Sequence, residues 1–466
     1  MRNPLPTRIE CYEDAIRWLY DRIDYERIRP SAQTNPFRLE RIEGLLQRIG
    51  APHERIPAVH IAGTKGKGST AAMVDSILQS AGIRTGLFTS PHIEQFEERM
   101  RVSGHMPHAD QLTRLVGRLC QVLQDAEMDV SDRIPTFFEV TTLLAWMLFD
   151  EEQVQVAVLE TGLGGRLDCT NVCSPLVTVI TSIGLDHTHI LGDTLSKIAW
   201  EKAGILKAGV PVVQGQLPGD ADRVVEARAT ELHCPRFVCG RDFAWHDADH
   251  GHAAAAPQRS QRILVLTPCC NYENLTVPLL GRHQAHNASL AIMTANLLRD
   301  RGYPQITAEA ITEGIKATHW PLRFEVLEGQ PTIVLDAAHN PDSMRAVAGV
   351  LDGTEWQGRR RVLVFAASAD KDASSMLSII VPHFDDVVLT RFIGNPRSVP
   401  PEQLQTLVDD LDSRPFSQTQ FHQASDPPTA IAKARQLAGP DGLICVTGSL
   451  FLAAEARVHL LRPSTR

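Results

Sequence analysis

Eight consecutive residues, Gly63-Thr64-Lys65-Gly66-Lys67-Gly68-Ser69-Thr70, combine three glycines, two lysines and three hydroxyl side chains. Glycines let the backbone approach a ligand closely. Where such a loop opens a helix, its N–H groups converge on phosphate oxygens. The ammonium of Lys67 then meets the terminal phosphates, the hydroxyl of Ser69 is a ligand for magnesium, and Lys65 adds a second positive charge. The strict P-loop pattern has a longer spacer: here only Thr64 and Lys65 separate the first glycine from Gly66-Lys67, and Gly68 intervenes before Ser69. The competing interpretation is a glycine-rich turn with solvated lysines.

Such a loop needs a strand before it and a helix after it. Val59-His60-Ile61-Ala62 is a short apolar run of strand character. Beyond Gly68, Val74, Ile77, Leu78 and Ala81 recur at helical spacing, with Gly82 as the stop. Val156-Ala157-Val158-Leu159 and Val177-Thr178-Val179-Ile180 repeat the strand signature between helical stretches, the pattern of a mostly parallel α/β sheet. A second series starts near Thr332, with strands expected at 333–335, 362–365, 387–389 and 443–446. The break His319-Trp320-Pro321-Leu322-Arg323 carries a proline that disfavours helix before it. A chain of 466 residues exceeds what one core usually supports. The expected division is residues 1–318, a linker at 319–324, and a smaller Rossmann-like α/β domain at 325–466.

Bulk properties narrow the partners. The chain is 43% apolar and 22% charged, ordinary globular composition. A formal charge of -9 with a pI near 6.1 gives no long-range attraction for nucleic acid or an anionic membrane. Met1-Arg2-Asn3-Pro4 does not read as a secretory leader, and no apolar run is long enough for a bilayer, so a soluble cytoplasmic protein is expected. Nine scattered cysteines argue against a disulfide framework, and neither Cys169/Cys173 nor Cys234/Cys239 has zinc-site spacing. His246, His250 and His252 fall in an Ala- and Gln-rich stretch between Arg241 and Arg262, expected to be a solvated loop or hairpin tip.

Several motifs now occur in order. They are Gly63 to Ser69, Thr89-Ser90-Pro91-His92, Phe138-Glu139, Glu160-Thr161-Gly162-Leu163-Gly164-Gly165-Arg166-Leu167-Asp168, Asp186-His187 and Trp200-Glu201-Lys202-Ala203-Gly204-Ile205. Gly281 to Ala288, Asp336-Ala337-Ala338-His339-Asn340-Pro341 and Val446 to Leu450 complete the series. Together they resemble the folylpolyglutamate synthase and bifunctional dihydrofolate synthase family of the Mur ligase superfamily. The resemblance spans both expected domains and implies a Mur-ligase-like P-loop ATPase domain followed by a glutamate ligase domain.

The resemblance also implies roles. Gly63 to Thr70, His283, Asn287, Arg323, Asp336 and His339 would bind ATP; Ser69, Ser90, Glu139 and His187 would hold Mg2+. Lys67, Lys202, Arg323 and His339 would be catalytic, with Lys202 carbamylated into an anion that holds a second magnesium. Local sequence puts Lys202 in the last turn of a helix capped by Asp193 and stopped by Gly204. The implied reaction is amide formation between L-glutamate and folate or dihydropteroate through an acyl phosphate, with a monomer as the simplest assembly. Pterin contacts would lie near Thr89 to Arg101, where Phe96, Arg99 and Arg101 serve equally well as core and rim. Leu322 and Ala337 stand where family members often carry glycine, and Lys65 where asparagine is common. A cell-wall Mur ligase and a nucleotide-binding regulator without ligase activity are the alternatives.

Overall fold

The structure, a computed structural model, describes residues 8–22, 39–125, 135–248, 260–353, 357–411 and 418–461. The chain forms two compact units. The first comprises Met1–His246, Ile263–Leu275 and His286–Thr318; the second comprises Asp247–Arg262, Thr276–Ala285 and His319–Arg466. The second unit thus recruits two short segments from ahead of residue 319, which a contiguous division at that point does not anticipate.

In the first unit, β1 (Ala58–Ala62), β2 (Thr85–Phe88), β3 (Met100–Val102), β4 (Val156–Glu160), β5 (Pro175–Ile180), β6 (Val212–Gln214) and β7 (Arg236–Val238) form one sheet. Its order is β3-β2-β4-β1-β5-β6-β7, and only the β2/β3 pair is antiparallel. β1 lies between two parallel partners, and all five of its residues are buried. That explains its continuous apolar run: a strand covered on both faces has no solvent side to alternate with. One core cluster joins β1, β2 and β4 to the Phe137–Glu151 helix, whose face includes Leu143, Leu144, Trp146 and Phe149. Another joins β1, β5 and β6 to the Leu195–Ala203 and Gly219–Glu231 helices.

The Lys67–Ser80 helix packs along the Ala308–Ala317 helix. Gly314 makes this possible, since a Cβ there would stand 2.4 Å from Ile77 Cα. Ser76 Oγ donates to the Gly314 carbonyl at 2.6 Å across the same contact.

A small sheet of β8 (Ala244–Asp247), β9 (Gln261–Leu266) and β10 (Asn271–Val277) has β9 at its centre. His246 lies on β8 and is exposed, whereas His250 and His252, expected in a loop or hairpin tip, lie outside the described residues.

The second unit has a six-stranded sheet ordered β11-β12-β16-β13-β14-β15. Its strands are β11 (Glu325–Leu327), β12 (Thr332–Leu335), β13 (Arg361–Phe365), β14 (Asp386–Leu389), β15 (Gln420–Gln423) and β16 (Leu443–Thr447). All pairs are parallel except β11/β12. The last strand inserts between β12 and β13, so the connection from β12 to β13 passes over the position that β16 fills. Leu363, Phe365, Val387 and Leu389 pack with Met344, Met376 and Leu377 to form its core.

Candidate active site

The glycine-rich loop leaves the carboxyl end of β1 and is pinned before the next helix starts. Thr64 N–H donates to the Ser182 carbonyl at 2.8 Å, Lys65 N–H to Ser182 Oγ at 2.9 Å, and Thr181 Oγ1 to the Lys65 carbonyl at 2.6 Å. Gly66 then adopts φ +83°, and the helix begins at Lys67. A Cβ on Gly66 would come within 2.4 Å of Asn287 Oδ1, so glycine is needed here both for its backbone angle and for space. Asn287 is buried in the Arg282–Asp300 helix and therefore stands directly against the loop.

The loop residues Gly63, Thr64 and Lys67 line one cavity with the Gly162–Gly164 turn, Asp186-His187 and Lys202. Lys202 is 4% exposed and donates from Nζ to the Gly63 carbonyl at 2.9 Å. Burial first, and then the charge of Lys67, lowers its pKa to about 7. Lys65 Nζ pairs with Asp186 Oδ2 at 2.8 Å, tying the loop to the segment that carries His187. His187 has φ +50° and an imidazole about half exposed. Lys202 does sit in the last turn of its helix, with Gly204 as C-cap, but Thr194 rather than Asp193 is the N-cap. Thr194 Oγ1 accepts from Lys197 N–H, and Asp193 instead pairs with the Lys197 ammonium at 2.8 Å.

The expected metal carboxylate, Glu139, has partners of its own in the structure. Both oxygens of Glu139 are taken up internally: Arg41 donates to each at 2.6 Å, and Thr136 N–H and Oγ1 both donate to Oε2 at 2.8 Å. Glu139 is the third residue of its helix and closes a capping box with Thr136. An acid at a helix start looks like a cleft residue in sequence, but the Arg41 partner comes from 98 positions away and no local pattern reveals it.

Glu160 faces the loop instead. It ends β4, adjacent to β1; its Oε2 accepts from Ser90 N–H at 3.2 Å, and its Oε1 lies 3.9 Å from Lys67 Nζ. The signal was present, because a charged residue closing an apolar parallel strand lies where such sheets collect functional groups. Ser69 and Thr70 are buried in the first turn of the helix, and Thr70 Oγ1 has no hydrogen-bond partner among the described residues.

Deeper in the same unit, Asp168 accepts from Leu163 N–H, Thr170 N–H and Thr170 Oγ1, which hold the Gly162–Gly165 turn against it. Phe96 and Arg99 are buried; Arg99 Nε donates to His92 Nδ1 at 2.7 Å, and its guanidinium lies 5.0 Å from the centre of the Phe137 ring.

In the second unit, Arg323, Asp336 and His339 gather at the carboxyl end of β12. Asp336 accepts from Phe324 N–H at 2.7 Å and Ala338 N–H at 2.8 Å, and His339 Nδ1 lies 2.9 Å from the Ala337 carbonyl. The segment around Arg323 is sharply folded, with φ +58° at Leu322 and +50° at Phe324. Of the two family glycine positions, only Leu322 uses the left-handed region; Ala337 does not. His283 belongs to this unit and is exposed.

The fold and this loop-centred site define a Mur-type ligase. Residues 61–295 match the Mur ligase middle domain and residues 322–450 the Mur ligase glutamate ligase domain. The chain is 34% identical over 452 residues to the Bacillus subtilis dihydrofolate synthase/folylpolyglutamate synthase, covering 97% of this chain and 99% of that one. It belongs to the folylpolyglutamate synthase/dihydrofolate synthase family of ATP-dependent ligases. A Haloferax volcanii protein, described as a probable bifunctional folylpolyglutamate synthase/dihydropteroate synthase, is 36% identical over 97% of this chain, which spans only 51% of that longer protein. Among solved structures, E. coli FolC in complex with DHPP and ADP superposes with a TM-score of 0.80 at 27% identity, covering 97% of this chain and 98% of that one.

Proposed function

We propose that this chain uses ATP to join L-glutamate to a folate, to dihydropteroate, or to both, through an acyl phosphate. The observation that carries this reading is the convergence of Lys67, Glu160, Lys202 and His187 on the loop that leaves β1. A carboxylate does not acylate an amine directly at neutral pH, because an oxide would have to leave. Its oxygen therefore attacks the γ-phosphorus of ATP and ADP departs. The glutamate nitrogen then attacks the acyl carbonyl, phosphate leaves, and the nitrogen gives up its proton. Lys67 and the loop N–H groups bind the phosphates, and Asn287 braces the loop from the side. Within the second unit, Arg323, Asp336 and His339, gathered at the carboxyl end of β12, are its candidates for nucleotide contacts. Thr447 Oγ1, Thr390 Oγ1 and Asn395 Nδ2 are buried without partners among the described residues and supply polar contacts for glutamate in the second unit.

The donors suit magnesium. Ser69 and Ser90 offer hydroxyls, Glu160 a carboxylate and His187 an imidazole; oxygen ligands match a hard cation, with phosphate oxygens and water completing its coordination. Among the described residues no three acidic, histidine or cysteine side chains cluster for a metal. When bound, Mg2+ withdraws charge from the phosphate oxygens. A pKa near 7 leaves a large fraction of Lys202 as free amine, able to add to CO2 and release a proton as a carbamate. The working form on this reading is a cytoplasmic monomer; among the described residues no helix is long and apolar enough to cross a membrane.

The test is purified protein with ATP, Mg2+ and glutamate, given dihydropteroate and tetrahydrofolate separately, with ADP and glutamylated product followed together. At least one substrate is turned over. Lys67→Ala abolishes turnover, and Arg323→Ala lowers kcat more than it raises KM for the folate. No product with either substrate overturns the reading.

A further inference from the structure

Thr267-Pro268-Cys269-Cys270 forms the turn from β9 to β10, outside every motif named above. Cys269 is exposed and Cys270 half-buried, and their sulfurs are 3.8 Å apart. Cys120, Cys173, Cys234, Cys239 and Cys445 are buried, and Cys11 is exposed. The turn is firmly built. Thr267 Oγ1 donates to the Cys270 carbonyl at 2.6 Å, accepts from Cys270 N–H at 3.2 Å, and lies 3.2 Å from Cys269 Sγ. Asn296 of the Arg282–Asp300 helix reaches Thr267 at 3.4 Å and is itself held by the Tyr272 hydroxyl at 2.7 Å.

We propose that Cys269 and Cys270 are a modification site, a dithiol that a peroxide oxidises reversibly to a disulfide between neighbouring residues. Two features of the geometry support it. The attacking thiol is open to solvent, and a second thiol is already in contact with it. What desolvation Cys269 suffers raises its pKa, but hydrogen bonds from Thr267, Arg299 and Cys270 and the charge of Arg299 outweigh it and hold the thiol below its ordinary value.

The Cys269 thiolate attacks one peroxide oxygen and the O–O bond breaks, giving a sulfenic acid and hydroxide, which takes a proton to become water. The Cys270 sulfur then attacks the sulfenic sulfur; the S–O bond breaks and the hydroxyl leaves with the Cys270 proton as a second water. Two thiols and one peroxide thus become one disulfide and two waters. Neighbouring Cα atoms are closer together than in most disulfides, so the ring is strained and a small dithiol reopens it.

The experiment treats the full-length protein with hydrogen peroxide, then unfolds it, alkylates it and analyses its peptides by mass spectrometry. The peptide bearing Cys269 and Cys270 is expected to lose two hydrogens and to resist alkylation until dithiothreitol is added, while Cys11 still alkylates. In Cys270→Ser, oxidation stops at a Cys269 sulfenic acid that dimedone captures, and in Cys269→Ser the Cys270 thiol stays alkylatable. The proposal is overturned if both thiols of the wild type remain alkylatable after peroxide, if Cys269 oxidises no faster than Cys11, or if Cys270→Ser yields no dimedone adduct.

Discussion

Glu139→Gln and Glu160→Gln separate a structural carboxylate from a functional one. Glu139 is 3% exposed in its side chain and Arg41 16%, so their two 2.6 Å bonds form in a largely desolvated pocket. Glutamine keeps one acceptor oxygen but turns an amide N–H₂ toward the guanidinium, losing one charge-assisted bond and the negative charge opposite Arg41. Breaking such a buried pair costs about 3–5 kcal/mol. The surviving carbonyl bonds to Arg41 or Thr136 recover part of this, so about 3 kcal/mol is expected. Glu160→Gln keeps an acceptor for Ser90 N–H, and its Lys67 contact is a looser 3.9 Å, so its effect on stability is smaller. It removes the negative charge facing the loop, and turnover drops by at least about a hundredfold. Urea unfolding monitored by circular dichroism gives the stabilities, and coupled ADP release on folded protein gives the rates. A Glu139→Gln protein as stable as wild type but inactive, beside an active Glu160→Gln, would refute the assignment.

Three further outcomes follow from the geometry. The folded-state pKa of Lys202, about 7, lies below its ordinary value of 10.5, so the unfolded chain binds more protons between these limits. Stability should therefore rise with pH across that window more steeply than in Lys202→Met, and urea midpoints at several pH values check it; equal slopes argue against a buried amine. Gly66→Ala forces a Cβ into the left-handed region, at about 1–2 kcal/mol, and against Asn287. ATP affinity by calorimetry should fall at least about tenfold. Leu322→Gly relieves a similar backbone strain at φ +58° but deletes a fully buried side chain worth about 2–5 kcal/mol, so the variant is less stable by about 1–3 kcal/mol in thermal or urea unfolding.

The parts of the fold written in local pattern were legible from sequence. The apolar run before Gly63 and the strands at 333–335, 362–365, 387–389 and 443–446 follow from burial of both faces of parallel strands, and the helix after Gly66 from apolar residues at helical spacing. What escaped depends on distant partners. Arg41 decides that Glu139 is a bracing residue, and Ser90 and Lys67 decide that Glu160 faces the loop. Thr194 outcompetes Asp193 as a cap because Lys197 draws the aspartate away, a choice between neighbours that propensity alone does not rank. Recruitment of residues 247–262 and 276–285 into the second unit likewise depends on tertiary packing.

The strand ahead of the glycine-rich loop is hydrogen-bonded along both edges and covered on both faces. Amides in such a position exchange with solvent only when the whole unit opens. The loop is therefore hung from a slowly exchanging strand at the centre of its sheet, so heating should not silence the enzyme in advance of melting. Loss of catalysis and loss of the sheet would then occur as a single event.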